Sequence, residues 1–377
     1  MRAIENCRSS ALGCHVDRCD HCGYTEISYN SCRDRHCPKC QGQRRRKWVN
    51  DRVKDLLPVP YYHVVFTLPD AIFPMCLFNQ KVIYDLLFDA SAETLLAFGR
   101  DDKWIGGEVG FFGILHTWGQ TACMHPHIHF VVPGGGIDPD GCWVPAKHTD
   151  KFLFPVHALS RVFRAKFIAG LKQAYNTGQL VFPGELVELA SARGFMKWIG
   201  QLCSNQWITY AKPPFGDAGQ VVNYLGRYTH RVAISNHRIR SIEDGQIVFS
   251  YRDYADGDKV KELSLTAHEF IRRFLYHVLP AGFHKIRHYG FMANGRRTKL
   301  REMVEYLSNI HNADDQTQFQ ESTDTTSCII CPVCGNARLC FMAVIPSFPA
   351  RPTPYEFIQI LQYNLSVNPA KGPFSIS

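Results

Sequence analysis

No stretch of this 377-residue chain approaches the roughly 20 consecutive apolar residues that a membrane helix needs, so no spanning helix is expected. The N-terminus, MRAIENCRSS, lacks the apolar core of a signal peptide and is polar and cysteine-bearing instead. Together these absences point to a soluble, non-secreted, cytoplasmic protein without membrane contacts. Cysteine is sparse where a disulfide framework would need it, because residues 41–327 hold only Cys76, Cys123, Cys142 and Cys203 of the fifteen. The first 45 residues have few large apolar side chains, so metal must substitute for a core there. Internal repeats are absent as well.

What is present is basic and unevenly spread. The net charge is +8 with a pI near 8.7, which favours an anionic partner. Arg33, Arg35, Lys39, Arg44, Arg45, Arg46 and Lys47 crowd one segment, and Arg296, Arg297, Lys299 and Arg301 another. A charge run alone usually marks a solvated face. The first run lies against a cysteine cluster, and that position raises the reading of a nucleic-acid surface.

From about residue 46 the composition becomes that of a globular domain. YYHVVFTLP (61–69) reads as a buried strand closed by proline, and residues 81–99 as a helix ending at Gly99. FFGILHTWG (111–119) and HIHFVVPGGGI (127–137) read as an antiparallel pair. Helices are expected at 156–175 and 184–199, then a strand at 205–211. Asp217 with Gln220 three residues on resembles a capping box, so GDAGQVVNYLGRYTHR should open a helix near 217. A hairpin is expected over 232–254, an amphipathic helix over 265–279 and a polar linker over 312–327. Prolines 346, 349, 352 and 354 predict little regular structure just beyond Cys340. The implied domains are a zinc-binding module (1–45), a catalytic domain (46–305), a linker with a C-terminal cysteine cluster (306–345) and a proline-rich tail (346–377).

Cys19-x-x-Cys22 and Cys37-x-x-Cys40 are two knuckles at the spacing that lets each give two thiolates to one tetrahedral zinc. Cys7, His15, Cys32 and His36 surround them. In chain order the pairs are Cys7/His15, Cys19/Cys22, Cys32/His36 and Cys37/Cys40. A cross-braced module would join the first pair to the third and the second to the fourth, holding two structural Zn2+ ions; Cys14 competes with His15. Cys328, Cys331, Cys334 and Cys340 form a further candidate zinc cluster, cramped into thirteen residues.

His127-Ile128-His129 lies near the start of a strand, where period two puts both imidazoles on one face and Ile128, Phe130 and Val132 on the other. His116, on the preceding strand, could reach across as a third ligand, with His125 or a residue on the tyrosine helix as an alternative. Three protein ligands with open positions describe a catalytic metal. About a hundred residues later, Tyr224 and Tyr228 stand at i and i+4 on one helix face. Either pair alone is common by chance in a chain with 17 histidines and 16 tyrosines.

In combination and order, FTLP, HPHIH and YLGRYTHR resemble the rolling-circle insertion-sequence transposases, a two-tyrosine group of the HUH nucleases. HVDRCDHCGYTEISYNSCRDRHCPKCQ is similar to the zinc-binding domain that precedes the nuclease in that family, and LPAGFHKIRHYGFMANGRR and CPVCG to its C-terminal part. The resemblance runs from about residue 3 to residue 340. It implies an α+β fold, an antiparallel sheet with helices packed on one face, preceded by the small zinc module. It makes His127 and His129 ligands of a catalytic Mg2+ or Mn2+, and Tyr224 and Tyr228 nucleophiles. The partner it implies is single-stranded DNA at transposon ends, nicked and rejoined through 5′-phosphotyrosine with no nucleotide cofactor. Members usually carry a segment before the zinc module, so the chain reads as a shortened copy. The competing readings are a plasmid relaxase or replication initiator, and a zinc-dependent DNA-binding relic without nuclease activity.

Overall fold

The computed structural model describes residues 2–34, 37–148, 153–212, 226, 234–314, 331–335 and 339–345. They fall into two compact units, one drawn from residues 1–46 and 317–377, the other from 47–316. The C-terminal cysteine segment, expected as a separate piece, therefore belongs with the N-terminal module.

In the first unit a short helix, α1 (Arg2–Glu5), precedes the hairpin of β1 (Cys14–Cys19) and β2 (Thr25–Tyr29). The free edge of β1 is paired by the strand Leu339–Ile345, which runs antiparallel with Cys14 opposite Ile345 and Cys19 opposite Leu339. That strand corrects the expectation of irregular chain after Cys340. Its backbone satisfies the ladder that β1 would otherwise leave open, an outcome local composition does not reveal. The apolar core is small, consisting of Cys14, Val16 and Ile345 with Ile27 against them. Cys14 is thus a core residue rather than a rival ligand. The helix α2 (Pro38–Val53) follows the second knuckle, and from Lys47 on it belongs to the second unit.

The second unit is built on a five-stranded antiparallel sheet. Its elements are β3 (Tyr61–Thr67), α3 (Phe73–Phe78), α4 (Gln80–Arg100), β4 (Phe111–Trp118), β5 (Met124–Pro133), the small pair β6 (Gly135–Ile137) and β7 (Trp143–Pro145), α5 (Val156–Asn176), α6 (Ala192–Ser204), β8 (Thr209–Lys212), β9 (Ile239–Glu243), β10 (Gln246–Asp253), β11 (Lys259–Thr266), α7 (Ala267–Tyr276), β12 (Ile286–Tyr289) and α8 (Arg297–Asp314). The large sheet has the order β12-β4-β5-β3-β8, and β11-β10-β9 form a separate three-stranded sheet.

Alternation decides what each face of the large sheet carries. Tyr62, Val64 and Phe66 of β3 and Ile128, Phe130 and Val132 of β5 enter a core with Leu87 and Leu95 of α4, Phe163 and Phe167 of α5 and Phe195 of α6. Phe130 meets Phe66 and Phe111 edge-on, with ring centroids 5.9 and 5.3 Å apart. Gly113, opposite Phe130, leaves the room this ring needs, since a Cβ there would lie 2.5 Å from it. The other face is covered too, at one end. Tyr61, Phe112, Ile114 and Val131 pack with Trp48 and Val49 of α2 and with Leu300 and Leu307 of α8.

Several expected elements shift. The helix expected at 184–199 is two pieces, a 3₁₀ segment (Gly184–Ala190) and α6, because Ser191 caps α6 by accepting from the Gly194 N–H at 3.1 Å. The helix expected from 265 begins at Ala267, behind a Thr266 cap, and the residues before it form β11. The proposed tyrosine helix lies outside the described residues except for Gly226. That residue is helical, and a Cβ there would come within 2.4 Å of the Val49 side chain.

Where β12 meets the second face, Arg52 donates to His288 Nε2 at 3.0 Å, and Asp55 accepts from both Arg52 and Arg297 at 3.0 Å. Burial, and then the two guanidiniums, hold the His288 imidazole down at about 4. An unfolded histidine takes its proton near 6.5, so as pH falls the unfolded state binds protons first and stability is lost between about 6.5 and 4. His288→Gln should flatten that loss, as read from urea unfolding midpoints across this range. A second core prediction bears on the site. Phe130→Ala should cost about 3–5 kcal/mol in the same assay, because the ring is fully buried in the core against Phe66 and Phe111.

Candidate metal centre

The same pleat that sends Ile128 and Phe130 into the core puts His127 and His129 on the opposite face, at the end that α2 and α8 leave uncovered among the described contacts. In the β4–β5 register His116 lies directly opposite His127. One ligand atom from each of His116, His127 and His129 lies within 4.8 Å of the others. The ring centroids of His116 and His129 are 4.3 Å apart, and those of His127 and His129 are 4.8 Å apart. The three candidate ligands read from sequence are therefore brought together. His125 is near, its ring 5.0 Å from that of His127, but its contribution is a carbonyl. The Nδ1–H of His127 donates to that carbonyl at 2.6 Å, which leaves Nε2 as the atom free to coordinate.

Burial is the main force on the protonation of all three. It pushes His127 down to about 3, and His116 and His129 well below the ordinary imidazole value, with each neighbouring histidine adding to the effect. Neutral imidazole is the ligand form, so at neutral pH the trio is ready to coordinate without losing protons.

A fourth histidine was not singled out in the sequence. His63 of β3 is buried, and its Nε2 lies 2.6 Å from His129 Nδ1, with the two rings stacked 4.9 Å apart. If His129 coordinates through Nε2, its Nδ1–H donates to His63, which fixes the tautomer and orientation of the ligand. The signal was a lone histidine within the apolar run YYHVVFT, which reads as strand packing until the neighbouring strand is known.

The β4–β5 turn is held by residues of and just beyond α7 and by one just before β9. His277, just beyond α7, accepts from Thr117 Oγ1 at 3.1 Å and donates to the Ala122 carbonyl at 2.9 Å. Arg273 donates to the Thr121 carbonyl at 3.1 Å, and Arg238 to that of Gln120. Beyond β3 the face continues with Tyr210 and Lys212 of β8, opposite Val65 and His63. Tyr224 and Tyr228 lie outside the described residues.

The cysteines form two groups of four whose sulfurs likewise converge, Cys7/Cys32/Cys37/Cys40 and Cys19/Cys22/Cys331/Cys334. This departs from the chain-order pairing in three ways. The two N-terminal knuckles do not share a site, because the β1–β2 hairpin stands between them. Six residues of β1 span roughly 20 Å, with Cys19 and Cys22 at the turn and Cys7 and Cys32 at the open end. His15 is in neither group; it sits half-exposed on β1, 3.6 Å from the Asp17 carboxylate. The C-terminal cysteines do not form a cluster of their own, since Cys340 is exposed on its strand opposite Arg18. His36 and Cys328 lie outside the described residues.

A protein family described as "Putative transposase" matches residues 110–299, the span that holds the histidine trio. A second, "Transposase zinc-binding domain", matches residues 1–68. The "Putative transposase y4qJ" of Sinorhizobium fredii is 46% identical over 349 residues, covering 90% of this chain and 87% of that protein. The chain belongs to this transposase family. The "Transposase for insertion sequence element IS801" of Pseudomonas savastanoi pv. phaseolicola is 29% identical to the transposase over 314 residues, covering 81% of this chain and 71% of that one. Among solved structures, the conjugative relaxase TrwC in complex with oriT DNA aligns over 65% of this chain and 71% of its own, with 13% identity and a TM-score of 0.26. The family resemblance drawn from FTLP, HPHIH and YLGRYTHR is borne out.

The arrangement around His129 can be tested in the transposase directly. His63→Ala should weaken binding of Mn2+ to the full chain roughly 10–100-fold, as expected when the partner of a ligating imidazole is lost. His63→Gln, which retains an acceptor, should recover part of that loss. Calorimetric titration would decide it, and an unchanged affinity in His63→Ala would remove His63 from the centre.

Proposed function

We propose that this transposase nicks and rejoins single-stranded DNA at the ends of its element, in rolling-circle fashion, with Tyr224 and Tyr228 as nucleophiles. The observation that carries the reading is the convergence of His116, His127 and His129 on one sheet face, neutral and pre-oriented, in a chain of this family. His116, His127 and His129 would hold a divalent ion, which supplies Lewis-acid polarisation of a phosphate oxygen. Of Mg2+ and Mn2+, an all-imidazole set favours the transition ion.

The remaining chemistry belongs to the chain. A phenol of pKa near 10 is a weak nucleophile at neutral pH and must lose its proton as it attacks. The tyrosine oxygen forms a bond to phosphorus while the bond to the 3′ oxygen breaks. The phenolic proton is released, and the leaving 3′ oxygen takes one up to become a hydroxyl. The 5′-phosphotyrosine product conserves the phosphodiester energy, so a free 3′-hydroxyl can reverse the step with no nucleotide cofactor. A second tyrosine permits a second strand transfer while the first is occupied. The basic residues of the first unit, Arg33 and Lys39 among them, supply charge for sequence-independent phosphate contacts. Structural Zn2+ at Cys7, Cys32, Cys37 and Cys40 would hold that segment in shape.

The test is to incubate the full chain with Mn2+ and a single-stranded oligonucleotide spanning an element end. A covalent protein–DNA adduct should form and map to the peptide containing Tyr224 and Tyr228. Replacing both tyrosines by phenylalanine should abolish the adduct and leave DNA binding intact, and His127→Ala should abolish nicking while the fold persists. An adduct that survives the double replacement would move the nucleophile, with Tyr210, on the histidine face, next to be examined. A product with a free 5′-phosphate and no protein attached would make water the nucleophile.

A further inference from the structure

We infer that Cys331 and Cys334 complete a zinc site with Cys19 and Cys22, so that a single ion joins segments more than 300 residues apart in sequence. The zinc-binding family match ends at residue 68 and contains only half of these ligands. The sulfur geometry is that of a metal site. Cys19 and Cys334 sulfurs are 3.7 Å apart, and those of Cys22 and Cys331 are 3.6 Å apart. A disulfide would bring them to about 2.05 Å. Four thiolates at about 2.3 Å around one zinc stand about 3.8 Å from one another. The neighbouring group has the same spacing, with Cys7–Cys40 at 3.5 Å and Cys32–Cys40 at 3.7 Å.

The two halves also share a local conformation. Cys19-Asp-His-Cys22-Gly23 and Cys331-Pro-Val-Cys334-Gly335 each end in a left-handed glycine, with φ of +74° and +65°. In each, the glycine N–H donates to the carbonyl of the first cysteine at 3.0 Å. Within the first half, the Cys22 N–H also lies 3.5 Å from Cys19 Sγ, the kind of contact that steadies a thiolate ligand. Two copies of one knuckle, facing each other sulfur to sulfur, make a closed four-ligand structural site with no position for substrate. The strand pairing brings them together. Leu339–Ile345 lies antiparallel to β1 with Leu339 opposite Cys19, so the segment before Leu339 is delivered to the turn end of the hairpin. Cys7, Cys32, Cys37 and Cys40 already make a full set, which leaves Cys19 and Cys22 with two positions to fill. One consequence is that the first unit cannot close until the chain has been made as far as its C-terminal strand.

This inference rests on cysteine geometry and stands or falls separately from the nuclease chemistry. Zinc per chain is measured by elemental analysis on the full-length protein and on three variants, C19S/C22S, C331S/C334S and all four together. Each double variant should lose one zinc, and the quadruple variant should lose no more than one, as a shared site requires. Loss of two in the quadruple variant, or of none in C331S/C334S, would overturn it. A second measurement covers variants that fail to fold. In zinc-loaded wild type, Cys19, Cys22, Cys331 and Cys334 should resist alkylation together, while the exposed Cys203 and Cys340 react. Reaction of Cys331 and Cys334 at the rate of Cys340 would overturn it as well.

Discussion

The register between β4 and β5 is the constraint on which the candidate centre depends. His116 faces His127 across that pair, and His129 follows two residues on. Side chains alternate with period two, so a slip of one residue would send both β5 histidines into the helix-covered core and expose Ile128 and Phe130. The register therefore follows from core packing, and the imidazoles inherit their positions from residues on the other face. Gly113 and Phe130 interlock at the centre of the pair. The turn at its end is tied by His277, Arg273 and Arg238, which removes the freedom a short exposed turn would otherwise have.

On the second face, apolar and polar burial are kept apart. Tyr61, Phe112, Ile114 and Val131 lie under aliphatic and aromatic cover at one end, and four histidines share the other. Clustered imidazoles would repel one another if protonated, and burial keeps His116, His127 and His129 neutral. An apolar core could fill the same space with greater stability. Its replacement by mutually oriented nitrogen donors is the kind of local inconsistency expected where a chain gives up packing energy for chemistry.

Much of this was legible in the sequence wherever periodicity was strong. The strands at 61–67 and 111–118 follow from short apolar runs closed by proline or glycine, the helix at 80–100 from the 3.6-residue repeat, and the His127/His129 pair from alternation. The misses have physical causes. α2 is rich in arginine and polar residues and has little apolar stripe, and β12 is four residues long. β11 alternates half-buried and exposed positions with few large apolar side chains, so only its partner β10 shows it to be a strand. His63 is hidden in an apolar run, because its role is set by a residue 66 positions away. The cysteine grouping could not be read from spacing along the chain. Ligand sets are three-dimensional, and here the length of a hairpin overrides proximity in sequence.

That hairpin also explains why the first unit needs metal at both ends. Its apolar core is three buried residues and one partner, far too little to offset the conformational entropy of some fifty ordered residues. The second unit has no such shortage, with dozens of fully buried aliphatic and aromatic side chains. A two-stranded hairpin is marginal by itself, and three strands with so thin a core gain little more. Converging thiolates at the open end and at the turn fix the two places where a hairpin otherwise frays, and the ladder between them then forms at little further entropic cost. Once each end is held, β1 can accept a third strand from the far end of the chain, because the convergence of four cysteines at the turn and the pairing of Leu339 with Cys19 demand the same placement.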